Sequence, residues 1–312
     1  MSRGRKLGCF RSMILACTLM AAPPPSGEIV YKASMGYLKD GMQHIRQKDV
    51  RLALELWIGE LMKEKRIETS IVYYDDAAES IEKFRRFGHD MLMVNAYFYL
   101  RDEALIDPVA YPSFWVIQHG LQPYEQAVVM VRRDAAIGSV ADLKGKRVSM
   151  REDNYMGRLF LDREMLQALH RSQSEVIGEI EATENHSRAL LQTYFGKSDA
   201  CVVPRYVVDV VTEMNPAVSQ ELVPLAESPR IFIPYIGVFH RRTSDTMITA
   251  YTDFVRELSA TEKGRNILSL FKMQGMYEVS TESIEPMRQY YREYQVLRKR
   301  YGVPETISRS AP

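Results

Sequence analysis

A mixed α/β chain is predicted from three observations. Strand-like and helix-like patterns alternate along the chain from residue 28 onward. The apolar runs are short, and those such as Met91–Val94 and Ala127–Val131 suit strands. The composition is that of an ordinary globular protein: 312 residues, 46% hydrophobic and 26% charged, enough for one large domain or two medium ones.

In order, Glu28 to Ser34 is predicted as a first strand, with Gly36 permitting a turn before Tyr37. Asp49 is a helix cap, followed by Val50, Ala53, Leu54, Trp57, Ile58, Leu61 and Met62 at helical spacing. Ile71–Tyr74 is a strand, Ser80 caps a short helix, and Met91–Val94 is a strand ending in Asn95-Ala96-Tyr97. This alternation predicts a largely parallel sheet. Strands at Ser113–Gln118 and Ala127–Val131 follow, then a helical turn closed by Gly145 and a strand from Arg147 to Met150. Asn154-Tyr155-Met156-Gly157 opens a helix. A strand at Ile177–Ile180, a helix from Ser187 to Phe195 ended by Gly196, a strand at Asp199–Val203 and a helix at Tyr206–Met214 make a second α/β set. Pro224 to Val238 is extended, and helices follow at Thr246–Leu258, Glu262–Phe271 and Ile284–Tyr301. The Met287, Tyr290, Tyr291, Tyr294, Leu297 and Tyr301 stripe on the last is core packing.

The start of the chain is an address. Arg3, Arg5, Lys6 and Arg11 precede the apolar run Ser12–Ala22, and Pro23-Pro24-Pro25-Ser26-Gly27 is a linker. A basic leader, a run too short to span a bilayer and a small-residue end describe a secretory signal peptide. Ile14-Leu15-Ala16-Cys17 loosely resembles a bacterial lipoprotein box, so lipid anchoring of the exported protein is an alternative ending. Without residues 1–22 the chain carries 37 basic against 40 acidic residues. That balance lacks the positive field of a nucleic-acid binder. With the leader removed Cys201 is the last cysteine, and its apolar surroundings suit a buried structural thiol.

Enzymatic motifs fail on inspection. Gly196-Lys197-Ser198 imitates the end of a phosphate loop, but Leu191 stands where its first glycine belongs. Dinucleotide, nucleophile-elbow and zinc signatures are absent, and the six histidines lack metal-ligand spacing. No cofactor, metal or catalytic residue is expected.

Tyr124 to Met150, with its Asp142-Leu143-Lys144-Gly145-Lys146-Arg147-Val148 core, resembles the hinge-to-second-lobe segment of type 2 periplasmic solute-binding proteins, most closely their phosphate/phosphite/phosphonate-type branch. The Asp90–Asn95 segment, His186 ahead of a helix, Gly196–Val203, Tyr277–Ser280 and Pro286-Met287-Arg288 are similar in the same order. The resemblance implies two α/β lobes joined by a hinge of two crossover strands. Residues 28–123 plus 237–312 would form lobe one and 124–236 lobe two, after a 1–27 signal peptide and linker. It also implies a periplasmic monomer that binds a small solute for an ABC transporter permease. A membrane sensor as partner, or an enzyme on this fold using Cys201 or His186, are the alternatives.

Ligands of open α/β sheets bind beyond the carboxyl ends of strands, where helix N-termini suit anions. That places Tyr37, Asn95, Tyr97, Asn154, Tyr155, Gly157 and His186 as candidate ligand residues, with Tyr and Asn supplying hydrogen bonds. Arg205, after the Asp199–Val203 strand, favours an anion. The branch usually carries a Ser-Thr-Ser-Gly-like cluster where this chain has Asn154-Tyr155-Met156-Gly157. The bulky Tyr-Met pair would crowd a tetrahedral oxyanion.

Overall fold

The computed structural model describes residues 31–38, 58, 59, 62, 66–119, 124–270 and 273–304. The leader, the linker and most of the helix expected after Asp49 lie outside them. Eleven strands form two sheets among the described residues.

The first sheet has the order β11-β4-β10-β3-β1-β2. Its strands are β1 (Tyr31–Leu38), β2 (Ile67–Tyr74), β3 (Met91–Asn95), β4 (Ala110–Gln118), β10 (Tyr235–His240) and β11 (Gly275–Ser280). The second has the order β7-β6-β8-β5-β9, from β5 (Ala127–Arg132), β6 (Arg147–Arg151), β7 (Glu179–Thr183), β8 (Ala200–Pro204) and β9 (Leu222–Glu227). The central strands β3, β8 and β10 are buried at every residue, the signature of strands covered on both faces. Edge strand β2 alternates instead.

Helices α1 (Ala77–Arg85), α2 (Ala96–Arg101) and α3 (Glu103–Ile106) join the first-sheet strands. In the second unit lie α4 (Tyr155–Leu169), α5 (Gln173–Val176), α6 (His186–Tyr194), α7 (Arg205–Met214) and α8 (Ala217–Glu221). The chain ends with α9 (Asp245–Ala260), α10 (Glu262–Leu270) and α11 (Glu285–Arg300). Two crossovers connect the sheets, Gln118 to Ala127 and Glu227 to Tyr235, and they pair with each other at Glu125 and Phe232. This is a two-lobed architecture with a two-stranded hinge.

Three local expectations are corrected. The first sheet is mixed, because β10 returns from the second lobe antiparallel to both β3 and β4, and β11 runs antiparallel to β4. Alternation along β1 to β3 carried no information about that return. Gly36 makes no turn but lies inside β1, where a Cβ would meet the His89 ring at 2.9 Å. Asp76, not Ser80, caps α1, accepting from Glu79 N at 2.8 Å, while the Ser80 hydroxyl bonds back to Ala77 O. Sequence reading also missed α2 and α3, two short helices with little periodicity to read.

Apolar packing forms one cluster continuous through both lobes, which includes Phe84, Tyr97, Val129, Leu159, Val202 and Tyr294. A second lies where α9 and α10 cover the first sheet, and a third where α6 and α7 cover the second. Helix α11 grips both lobes. Arg288 forms ion pairs with Glu103 and Asp107 on the lobe-one side, at 3.1 and 2.6 Å. Tyr294 donates to Asp162 of α4 at 2.7 Å. The aromatic stripe is thus structural, as its spacing suggested.

His89 is buried, with Nδ1 2.7 Å from Ser34 Oγ and Nε2 2.5 Å from the Tyr74 hydroxyl. Burial lowers its pKa, and burial followed by Arg242 and Arg241 lowers that of His240. Folding therefore favours the neutral rings. Stability from both is fully present above the unfolded histidine value near 6.5 and is lost as pH falls below it. Melting temperature should drop between pH 7 and 5.5, with a shallower slope in His89→Gln; an unchanged slope would refute the assignment.

Candidate ligand-binding site

Two helix entrances meet where the lobes approach each other. Asn95 ends β3 and caps α2, accepting from Tyr97 N at 2.9 Å. Asn154 caps α4, accepting from Gly157 N at 3.1 Å, and its amide donates to Val202 O at 3.1 Å. Gly157 is required there, since a Cβ would lie 2.4 Å from the Asn154 amide nitrogen. Tyr97 stacks on Tyr155 across the lobes, ring centroids 5.8 Å apart and 15° between planes, with Phe98 edge-on to Tyr155 at 4.7 Å. These five expected site residues are brought together, but the two rings pack on each other. Tyr37 lies within β1, in the core cluster under α9, with Tyr73 6.2 Å away.

None of these five lines the cavity of about 550 Å³ that residues of both lobes enclose. Lobe two contributes Arg151 at the end of β6, His186 and Ser187 at the start of α6, and Tyr206 on α7; lobe one contributes Arg265 of α10 and Gln274. Asn185 caps α6, accepting from Arg188 N at 2.8 Å, so the positive end of that helix opens on the cavity. Arg151 is ion-paired with buried Asp153, and Tyr235 of lobe one donates to the other Asp153 oxygen at 3.4 Å. Burial disfavours the Arg151 charge, but Asp153, Tyr235 and Tyr206 together outweigh it and the guanidinium stays cationic. Burial raises the Asp153 pKa against the opposing pull of Arg151. Burial also raises that of Tyr206, which keeps its hydroxyl a donor. Arg265 spends one nitrogen on Ser259 O and Ala260 O, at 3.2 and 3.0 Å, at the end of α9. The cavity lining itself carries no acidic side chain; Arg151 is balanced by Asp153 behind it, so Arg265 and the start of α6 supply the net positive field, and the chamber suits an anion.

The sequence matches the model of the family described as "ABC transporter, phosphonate, periplasmic substrate-binding protein" over residues 45–283. The chain belongs to that family. Its members are binding proteins of transport systems, which implies an exported protein.

Solved structures share the phosphonate-type binding-protein fold. A binding protein component of an ABC phosphonate transporter from Pseudomonas aeruginosa has a TM-score of 0.61 at 13% identity, covering 86% of this chain and 88% of that one. XAC2383 from Xanthomonas citri bound to ATP has 0.60 at 14% identity, with 86% and 98% covered. PhnD1 from Prochlorococcus marinus in complex with methylphosphonate has 0.59 at 15% identity, with 85% and 98% covered. No curated protein sequence matches the chain significantly.

For this phosphonate-type binding protein, His186 is the expected residue that lines the cavity. Arg205 faces an adjoining one and is ion-paired with Glu227. Sequence reading missed Arg151, Arg265, His119 and Tyr206. Arg151 had a legible signal, a cation at the carboxyl end of a strand; Arg265 had none, because only folding brings α10 opposite α6. Cys201 is fully buried, and burial pushes its thiol up to about 12, which removes the thiolate a nucleophile needs.

Proposed function

We propose that the chain captures a small organic phosphonate or sulfonate in the 550 Å³ cavity and delivers it to the permease of an ABC transporter, working as an exported monomer. The cation-lined chamber between the sheets carries this reading. Arg151 is the main anion contact, with the amide groups and His186 at the start of α6 beside it and Arg265 closing from the other lobe. Tyr97, Tyr155, Asn95, Asn154 and Gly157 act as the frame that sets the lobe separation. The lobes divide at residues 28–123 plus 237–312 and 124–236, with the pairing at Glu125 and Phe232 as hinge. The phosphonate-type family and the methylphosphonate held by one similar structure support the solute class.

A ligand that binds only the folded state stabilises it by about 2.7 kcal/mol at a hundredfold excess over Kd. Methylphosphonate or a short alkylsulfonate should therefore raise the melting temperature by several degrees. Arg265→Ala, at an exposed position, should weaken binding roughly tenfold and, through the lost bonds to Ser259 O and Ala260 O, lower the ligand-free melting temperature by only a few degrees. No shift with any phosphonate or sulfonate would overturn the proposal.

A further inference from the structure

A second cavity of about 410 Å³ adjoins the first. His119, Tyr206, Val210 and Gln274 line both. The partition is thin: the His119 and Tyr206 rings stack with centroids 6.0 Å apart and 22° between planes, and His119 is held by Glu125 at 3.1 Å.

The two chambers differ in chemistry. The first is lined by Arg151 and Arg265 without an acid. The second carries Arg205 and Arg230, but also Glu125, Asp209 and Glu213. Arg205 is engaged by Glu227 as Arg151 is by Asp153, and Gln126 bonds Ser228 O at 2.8 Å, so the chambers differ by the three carboxylates that line the second. A bare oxyanion thus has a clear preference for the first chamber, while the second suits a group rich in hydrogen-bond donors.

Size points the same way. At about 30 Å³ per water-sized heavy atom, an anion of methylphosphonate size needs on the order of 150 Å³. The first chamber alone holds more than that, and the second extends it past the His119–Tyr206 stack.

We propose that the second cavity is a subsite for the same ligand, so that the solute is an organic anion bearing an extended, polar, donor-rich arm. The anionic head sits at Arg151 and the arm runs past Tyr206 to Asp209 and Glu213 on α7. This rests on the reading of the first cavity as the anion site.

The test is calorimetric binding of methylphosphonate and of ω-hydroxyalkylphosphonates of increasing chain length to the full chain. A fully buried methylene contributes up to about fourfold in affinity. Affinity should rise at least tenfold along the series and then level off. Asp209→Trp and Glu213→Trp, both at exposed positions that line only the second cavity, should abolish that gain and leave methylphosphonate affinity unchanged. Two different variants guard against one that fails to fold. Affinity that is flat along the series while methylphosphonate binds would overturn the second subsite and spare the first. A gain that survives both plugs would overturn it too. Failure of every phosphonate to bind would remove the anion site and this inference together.

Discussion

Asp162→Ala should destabilise the protein by about 3–5 kcal/mol, the cost of leaving a buried charge without its partner. Asp162 is 1% exposed and Arg298, 3.5 Å away, is 4% exposed. The same carboxylate accepts from the Ser172 hydroxyl at 2.6 Å, Gln173 N at 2.7 Å and the Tyr294 hydroxyl at 2.7 Å. It thus holds the start of α5, the body of α4 and the last helix at one point. Alanine removes the acceptor from all of them and strands the Arg298 guanidinium. The expected drop in melting temperature is on the order of 10 °C. Asp162→Ala combined with Arg298→Met should recover much of the loss, because both charges then go. A single-variant loss under about 1 kcal/mol would mean that Arg298 reaches water, and would refute the argument.

Arg151→Ala should have the largest effect on binding. A hydrogen bond to a charged group contributes about 1.5–3 kcal/mol, so methylphosphonate affinity should fall roughly 100-fold. The variant also leaves Asp153 without its cation in the interior, 3% exposed, with the Tyr235 hydroxyl still donating to its side chain. Its pKa is already raised by burial and would rise further without the arginine opposing it. A carboxyl whose folded pKa is raised is stabilising below its unfolded value and loses that contribution as pH rises through the folded one. The gap in melting temperature between Arg151→Ala and the natural sequence should therefore be wide at pH 7.5 and narrow at pH 5. The histidine effect is common to both proteins and cancels in that difference. Adding Asp153→Asn should restore stability without restoring binding. Recovery of binding in the double variant would show that Arg151 only neutralises Asp153 and does not touch the solute.

Much of the fold was legible locally. The short apolar strands, the Asn154 and Asn95 caps, and the glycines that close helical turns at Gly145 and Gly196, with φ of +71° and +68°, are written in adjacent residues. The Asp142–Val148 segment carried the family resemblance for the same reason. Gly36 misled because a glycine needed for a close approach looks identical in sequence to one needed for a turn. Its neighbour, the His89 ring, is more than fifty residues away.

The site divides along the same line. Helix N-termini at strand ends can be found by spacing, which is why His186, Asn154 and Asn95 were candidates. Whether such an entrance is open depends on what faces it. In sequence Tyr97 and Tyr155 are separate candidate contacts, yet the fold stacks one on the other across the lobes.

By itself the sequence determined the alternating strands and helices, the caps and turns, and the kinship with solute-binding proteins, since each depends on neighbours within a few residues. Only the tertiary structure decided that β10 returns antiparallel, that α11 ties the lobes together, and that Arg151 and Arg265 share one chamber. Residues separated by more than a hundred positions come to line a single chamber only when two sheets, joined by a pair of crossing strands, are packed by one continuous apolar cluster.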